Sequence, residues 1–110
     1  MKIDTRISHD VVIFDINGEI DLYNSSNIKD KLRDYLEKSY KKVIINLDRV
    51  TYIDSSGIGS LISSQSTLKK INGALRIINI HDSVKRVFEL TKLTSFFKIY
   101  EDEESAMNSF

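Results

Sequence analysis

The chain has 110 residues, 41% of them hydrophobic, and its sixteen basic and sixteen acidic side chains cancel to zero net charge. That length holds one domain, residues 1–110, able to bury more than about 60% of its unfolded surface without a staple; the lack of cysteine removes disulfides, thiolate metal sites and thiol nucleophiles together. Neutrality argues against a nucleic-acid binder, His9 and His81 match no zinc spacing, and no signal-peptide core or membrane-length apolar run is present, so the expectation is a soluble, cytoplasmic domain.

Proline is absent and glycine occurs only four times, which leaves no linker and no internal boundary. A short first strand is expected around Ile3 to Ile7. Val11 to Ile16 is β-branched, bounded by Asp10 and by Asn17-Gly18, and reads as a strand. From about Ser25 to Lys38, Ile28, Leu32, Tyr35 and Leu36 form one apolar stripe at helical spacing, with Asn24 or Ser25 available as the cap. Val43 to Leu47 is a nearly continuous apolar run, as in a strand covered on both faces. Thr51 to Asp54 is extended and leads into a helix that carries Ile58, Leu61, Ile62, Leu68 and Ile71 inward and is stopped near Asn72 by Gly73. Leu75 to Ile80 is a further strand. Asp82 or Ser83 can cap a helix bearing Val84, Val87, Phe88 and Leu93. Phe97 to Tyr100 is a last strand, and the acids Glu101 to Glu104 suit the start of a short terminal helix. The predicted fold class is α/β, with a mixed four- to five-stranded sheet, about four helices, and later strands made parallel by crossover helices.

The informative segment is Tyr52-Ile53-Asp54-Ser55-Ser56-Gly57-Ile58-Gly59. It puts a carboxylate, two hydroxyls and two glycines where a strand ends and a helix begins, and unpaired amides there favour an anion such as a phosphate. A hydroxyl at that place can carry a phosphoryl group without unfolding anything. The plainer alternative is that Asp54 or Ser55 only caps the helix. Gly57 to Ile62 lacks the third glycine of a dinucleotide fingerprint and has no acid about 20 residues on, and the Walker pattern is missing. A hydrolase elbow needs glycine where Ile53 stands, and neither histidine has a route to activate Ser55. A second constellation, Gly18 to Asn24, brings Glu19 and Asp21 near a turn, where two carboxylates could bind a metal or act as acid and base. Their alternation with Ile20 and Leu22 equally describes an exposed strand end. A phospho-aspartate receiver centred on Asp54 fails, because Asp10 stands alone and no acidic pair follows the first core strand. Lys41-Lys42 and Lys69-Lys70 read as solvated surface, and the histidines as turn or surface residues.

With Asp54-Ser55-Ser56-Gly57, Gly18-Glu19-Ile20-Asp21, Val43 to Asp48 and Ser83 to Leu90 in this order, the chain resembles STAS domains of the bacterial anti-sigma factor antagonist family over essentially its whole length. The resemblance implies that Ser55 is the acceptor for an anti-sigma factor that is also a serine kinase with a histidine-kinase-like ATP fold. It further implies that the unphosphorylated protein binds that partner and frees the sigma factor, and that a metal-dependent serine phosphatase resets the switch. Asp21 and Asp54 match the family's acidic residues beside the acceptor, and Ser56 and Gly57 complete the surroundings. The expectation is then a binding module rather than an enzyme, with no cofactor, no metal and no direct nucleic-acid contact. The alternative is a STAS subunit of another assembly, such as a lipid-transport complex or a stress-sensing scaffold. An acceptor hydroxyl at Ser55 favours the first, since a scaffold has no need of one.

Overall fold

The structure is a computed structural model describing residues 1–110. Its elements run β1 (Lys2–Ser8), β2 (Val11–Ile20), α1 (Ser26–Glu37), β3 (Lys42–Ile53), α2 (Ser55–Lys69), β4 (Ala74–Ile78), α3 (Asp82–Leu90), β5 (Lys98–Tyr100) and α4 (Glu103–Met107). They form a five-stranded sheet in the order β1-β2-β3-β4-β5. β1 pairs antiparallel with β2 through a turn at His9, and every later pair is parallel. This is the mixed α/β architecture that the alternating periods predict.

The three long helices follow from the crossovers and share one face of the sheet. Val12, Phe14 and Ile16 of β2 and Val43, Ile45 and Leu47 of β3 pack there with Ile28 and Leu32 of α1, Ile58, Leu61 and Leu68 of α2, and Val84 and Phe88 of α3. The alternate residues Val11, Ile13, Ile44 and Ile78 point to the other face, where Ala106 of α4 covers them. β2 and β3 are therefore apolar on both sides where both faces are covered, which is why their sequences read as runs. Beyond α4 the second face turns polar. There Arg6 forks onto Asp15 and reaches Glu103, and Asn46 donates to Asp15 and accepts from Asn79. The Arg6 hydrogen bonds hold the Asp15 carboxyl below its ordinary range.

Several boundaries differ from the sequence reading. β2 does not stop at Asn17-Gly18: Gly18 takes φ 106°, the pairing register shifts around it, and the strand continues to Ile20 alongside Ile53. The stretches 43–47 and 51–53 join in one long β3, and Asp54 falls just outside it. Neither Asn24 nor Ser25 caps α1 with its side chain; Asn24 is engaged in the turn before it. α2 ends at Lys69, so Ile71 is exposed rather than inward. The left-handed residue at its end is Asn72 (φ 60°), and the Gly73 amide closes the turn on the Leu68 carbonyl at 2.7 Å. Gly73 is still needed there, because a Cβ would meet the Lys41 carbonyl oxygen at 2.5 Å. Neither Asp82 nor Ser83 caps α3; the Ser83 hydroxyl donates instead to the Thr51 carbonyl at 2.9 Å. Asp102, not Glu101, starts α4 by accepting from the Ser105 amide.

His81, between β4 and α3, ties the middle of β3 to the start of α3. Its ring contacts the Asp82 carboxylate at 2.9 Å and the Asp48 carbonyl at 2.6 Å. The Asp82 hydrogen bond first, and the Asp48 carbonyl second, raise its pKa above the ordinary 6.5. A raised histidine pKa means stabilisation that is complete below 6.5 and is lost as pH rises through the folded-state value. Asp82→Asn, which keeps a residue tolerant of the φ of 52° found there, should move the His81 titration followed by NMR back toward 6.5. Its loss of stability against denaturant should be larger at low pH than at high pH. A His81 pKa at or below 6.5 in the parent would refute the pairing.

Candidate functional site

The strand-to-helix junction at Asp54 is built from three neighbouring pieces of chain. β2 and β3 end side by side at Ile20 and Ile53, and the Asp54 amide donates to the Ile20 carbonyl at 3.1 Å. Asp54 has extended backbone (φ −102°, ψ −174°) and occupies the N-cap of α2, accepting the Gly57 amide at 3.0 Å through one carboxylate oxygen. Its other oxygen accepts the Leu22 amide at 3.1 Å, across the junction in the turn before α1. So Asp54 is a cap, as the plainer alternative holds, and it is also a clamp between the β2–α1 turn and α2.

That turn is fastened along its length. Asp21 accepts the Tyr23 amide through its carboxylate and the Asn24 and Ser25 amides through its carbonyl. The Asn24 side chain accepts from the Asp21 amide and donates to the Glu19 carbonyl. Asp21 thus stands beside Asp54 through the Leu22 tie, so the structure brings the two aspartates singled out in the sequence to one place. Glu19 lies exposed in β2, and no group of three or more acidic or histidine side chains is arranged to hold a metal ion.

The two serines differ in environment. Ser55 opens α2 and is exposed, next to first-turn amides that lack an intrahelical partner. Ser56 is half-buried and borders a shallow groove between α1 and α2, together with Ser25, Ser26, Lys29, Gly59 and Ser60. Buried Ser60 donates to the Ser25 carbonyl at 2.8 Å and fixes the spacing of the two helices. Gly57 is buried, and a Cβ there would lie 2.6 Å from Ile53 and 2.7 Å from Ile20. Its absence of a side chain lets the start of α2 rest directly on the strand ends, whereas Gly59 faces open space. Neither histidine serves Ser55: His9 is in the β1–β2 turn, and both ring nitrogens of His81 are engaged elsewhere.

The residues that sequence reasoning overlooked are apolar. Leu22 and Tyr23 are 69% and 92% exposed in the turn, and Tyr52, two residues before Asp54, is 47% exposed. The signal available was an apolar pair inside a segment of turn formers, Asp21 to Asn24, where burial is not on offer.

The STAS domain family profile matches residues 2–106. Among curated relatives, the anti-sigma-B factor antagonist of Staphylococcus aureus is 27% identical over 89 residues, 81% of this chain and 82% of that protein. A Thermotoga maritima protein of known structure is 30% identical, covers 96% of this chain and 92% of its own, and superposes with a TM-score of 0.89. The Bacillus cell fate determinant SpoIIAA in its phosphorylated form shares the fold, with a TM-score of 0.73 over 97% of both chains at 21% identity.

Gly57→Ala should therefore lower stability by about 1–3 kcal/mol, since Ile20 and Ile53 are packed side chains with no room to retreat. Gly59→Ala should raise it by up to about 1 kcal/mol through helix propensity alone. Chemical denaturation of the two variants decides the matter. Equal effects at both positions would contradict the close approach of α2 to the sheet.

Proposed function

The chain belongs to the STAS-domain family of anti-sigma factor antagonists, and from that premise we propose that it is a phospho-switched antagonist with Ser55 as its acceptor. In this reading the unphosphorylated protein binds an anti-sigma factor with serine kinase activity, in the cytoplasm, and so releases a sigma factor. Phosphorylation of Ser55 ends the binding, and a metal-dependent serine phosphatase restores it. The protein is ligand and substrate in this cycle, not a catalyst.

The observation that carries the proposal is the exposed Ser55 hydroxyl at the first turn of α2, one residue after the carboxylate that clamps the β2–α1 turn. A phosphate adds about −1.5 to −2 charges and three acceptor oxygens. On the protein's own side, the first-turn amides of α2 offset part of that charge. A partner face shaped around a neutral hydroxyl has no such compensation, so burying the dianion beside Asp54 and Asp21, where water no longer screens their repulsion, costs enough to release it. No change of fold is required.

Kinase-dependent labelling followed by mass spectrometry of the tryptic peptide from Val50 to Lys69 tests the assignment. The label is expected on Ser55, and Ser56→Ala should still be labelled. Ser55→Ala should fold with a loss of no more than about 1 kcal/mol, because Asp54 and not Ser55 caps the helix, and should bind the partner permanently. Ser55→Asp should bind more weakly. Label on Ser56, or equal labelling of Ser55→Ala, would overturn the assignment. A chain that no serine kinase labels and no anti-sigma factor binds would favour a STAS subunit of another assembly.

A further inference from the structure

β1 is the open edge of the sheet. Its inner side pairs with β2 from Lys2 to Ser8, and no backbone group of these residues takes part in any other hydrogen bond. The outward amides and carbonyls of β1 are therefore unpaired, a template for a further strand. The opposite edge, β5, has only 3 residues. Charged side chains commonly guard such an edge, and Lys2, Asp4 and Arg6 stand on this one.

Two of these charges are left incomplete by the chain's own contacts. Asp4 lies directly opposite Asp15 in the β1–β2 ladder, an acid against an acid. Its carboxylate receives no hydrogen bond, and its one ion pair, with Lys2, is exposed and 3.8 Å long. Arg6 gives Nε and Nη2 to Asp15 and Glu103, while its Nη1 has no partner. On the helix side of the strand Ile3 packs on the core and the Thr5 hydroxyl meets that of Tyr35, but Ile7 is 52% exposed.

The β1 strand of a second copy meets all of these needs in one register. Antiparallel pairing about a two-fold axis at Thr5 sets Asp4 against Arg6 of the second copy, Ile3 against Ile7, Lys2 against Ser8, and Thr5 against itself. Like faces meet, so the helices of both copies stay on one side of the joined sheet. With the axis at Thr5, every outward amide meets an outward carbonyl, whichever alternate residues point away from β2. A slip of two residues also keeps the faces. In one direction it brings Asp4 onto Asp4 and Lys2 onto Arg6, and in the other it brings Arg6 onto Arg6. Like charges directly opposite are destabilising. The charges of β1 therefore oppose the neighbouring registers and match in this one.

We propose that the chain forms a two-fold dimer through β1 in this register, joining two five-stranded sheets into one. The two Ser55 junctions then lie at opposite ends of the dimer, both open to a partner. A contact of strand on strand falls at the small end of specific interfaces, below about 1,200 Å², so the dimer is weak and reversible.

Sedimentation equilibrium of the full chain across the micromolar range, with amide hydrogen exchange at both ends of that range, tests the inference. The parent should pass from monomer to dimer, and the fast-exchanging amides that gain protection should be alternate ones of residues 2–8. Asp4→Arg sets a cation against Arg6 twice in each dimer and should raise the dimer Kd by about 10-fold or more. It should fold no less stably than the parent, because it also removes the acid facing Asp15. Ile7→Lys, at an exposed position, should weaken the dimer likewise. Glu89→Lys, an exposed change of equal charge on α3, should stay within about 2-fold. A chain that is monomeric throughout the range, a dimer that Asp4→Arg or Ile7→Lys leaves intact, or protection gained by fast-exchanging amides outside β1 would overturn the inference. Each of these results leaves the antagonist reading untouched.

Discussion

The arrangement around Ser55 depends on one carboxylate serving two amides. Asp54 could cap α2 with a single oxygen, as aspartate does at many helix starts. Here its second oxygen holds Leu22, so the first turn of α2 and the turn before α1 are fastened to the same side chain. Neither amide has a β-ladder partner at this point. The Gly57 amide is half-buried and would cost about 1–3 kcal/mol if left without an acceptor, whereas at the exposed Leu22 amide the carboxylate takes the place of water. The carboxylate therefore stabilises the junction and, in doing so, sets the position of every residue that a partner would touch there.

The rest of the fold serves that junction by bringing α2 close. Gly57 lets the helix start lie on Ile20 and Ile53, and Ser60 and Ser64 keep the buried side of α2 small. Ser60 and Ser64 satisfy their hydroxyls locally, on the Ser25 and Ser60 carbonyls. α1 and α2 consequently sit near each other with their starts at the same end of the sheet. The long β3, running unbroken from Lys42 to Ile53, delivers Asp54 to that end.

The core was legible because both faces of β2 and β3 are covered: Val11 to Ile16 and Val43 to Leu47 announce themselves as apolar runs, and Ile28 and Leu32 mark the stripe of α1. The acceptor segment was legible because hydroxyls, acid and glycine cluster at a change of period. What was not legible depends on which of several partners, near or distant, wins each polar side chain. The sequence around Asn24 and Ser25 promises a helix cap, yet Asn24 is drawn into the turn by Asp21 and Glu19. Asp82 and Ser83 make the same promise for α3, but Asp82 is taken by its neighbour His81 and Ser83 by the distant Thr51 carbonyl. Gly18 looks like a strand end and is a bulge, because β3 continues on its far side and keeps the pairing going. Local capping rules carry no information about which neighbour competes for the side chain.

The physical core of the account is that a phosphate at Ser55 acts by charge on a surface that keeps its shape. The most direct measurement is a comparison of isotope-labelled protein before and after quantitative phosphorylation by its kinase, reading amide NMR shifts and partner affinity on the same samples. The account predicts shift changes confined to the junction, at residues 19–25 and 52–60, together with at least about a tenfold loss of affinity, the scale of one strong charge effect. Shift changes spread across β3, β4 and the core beneath α2, or affinity unaltered by the phosphate, would contradict it.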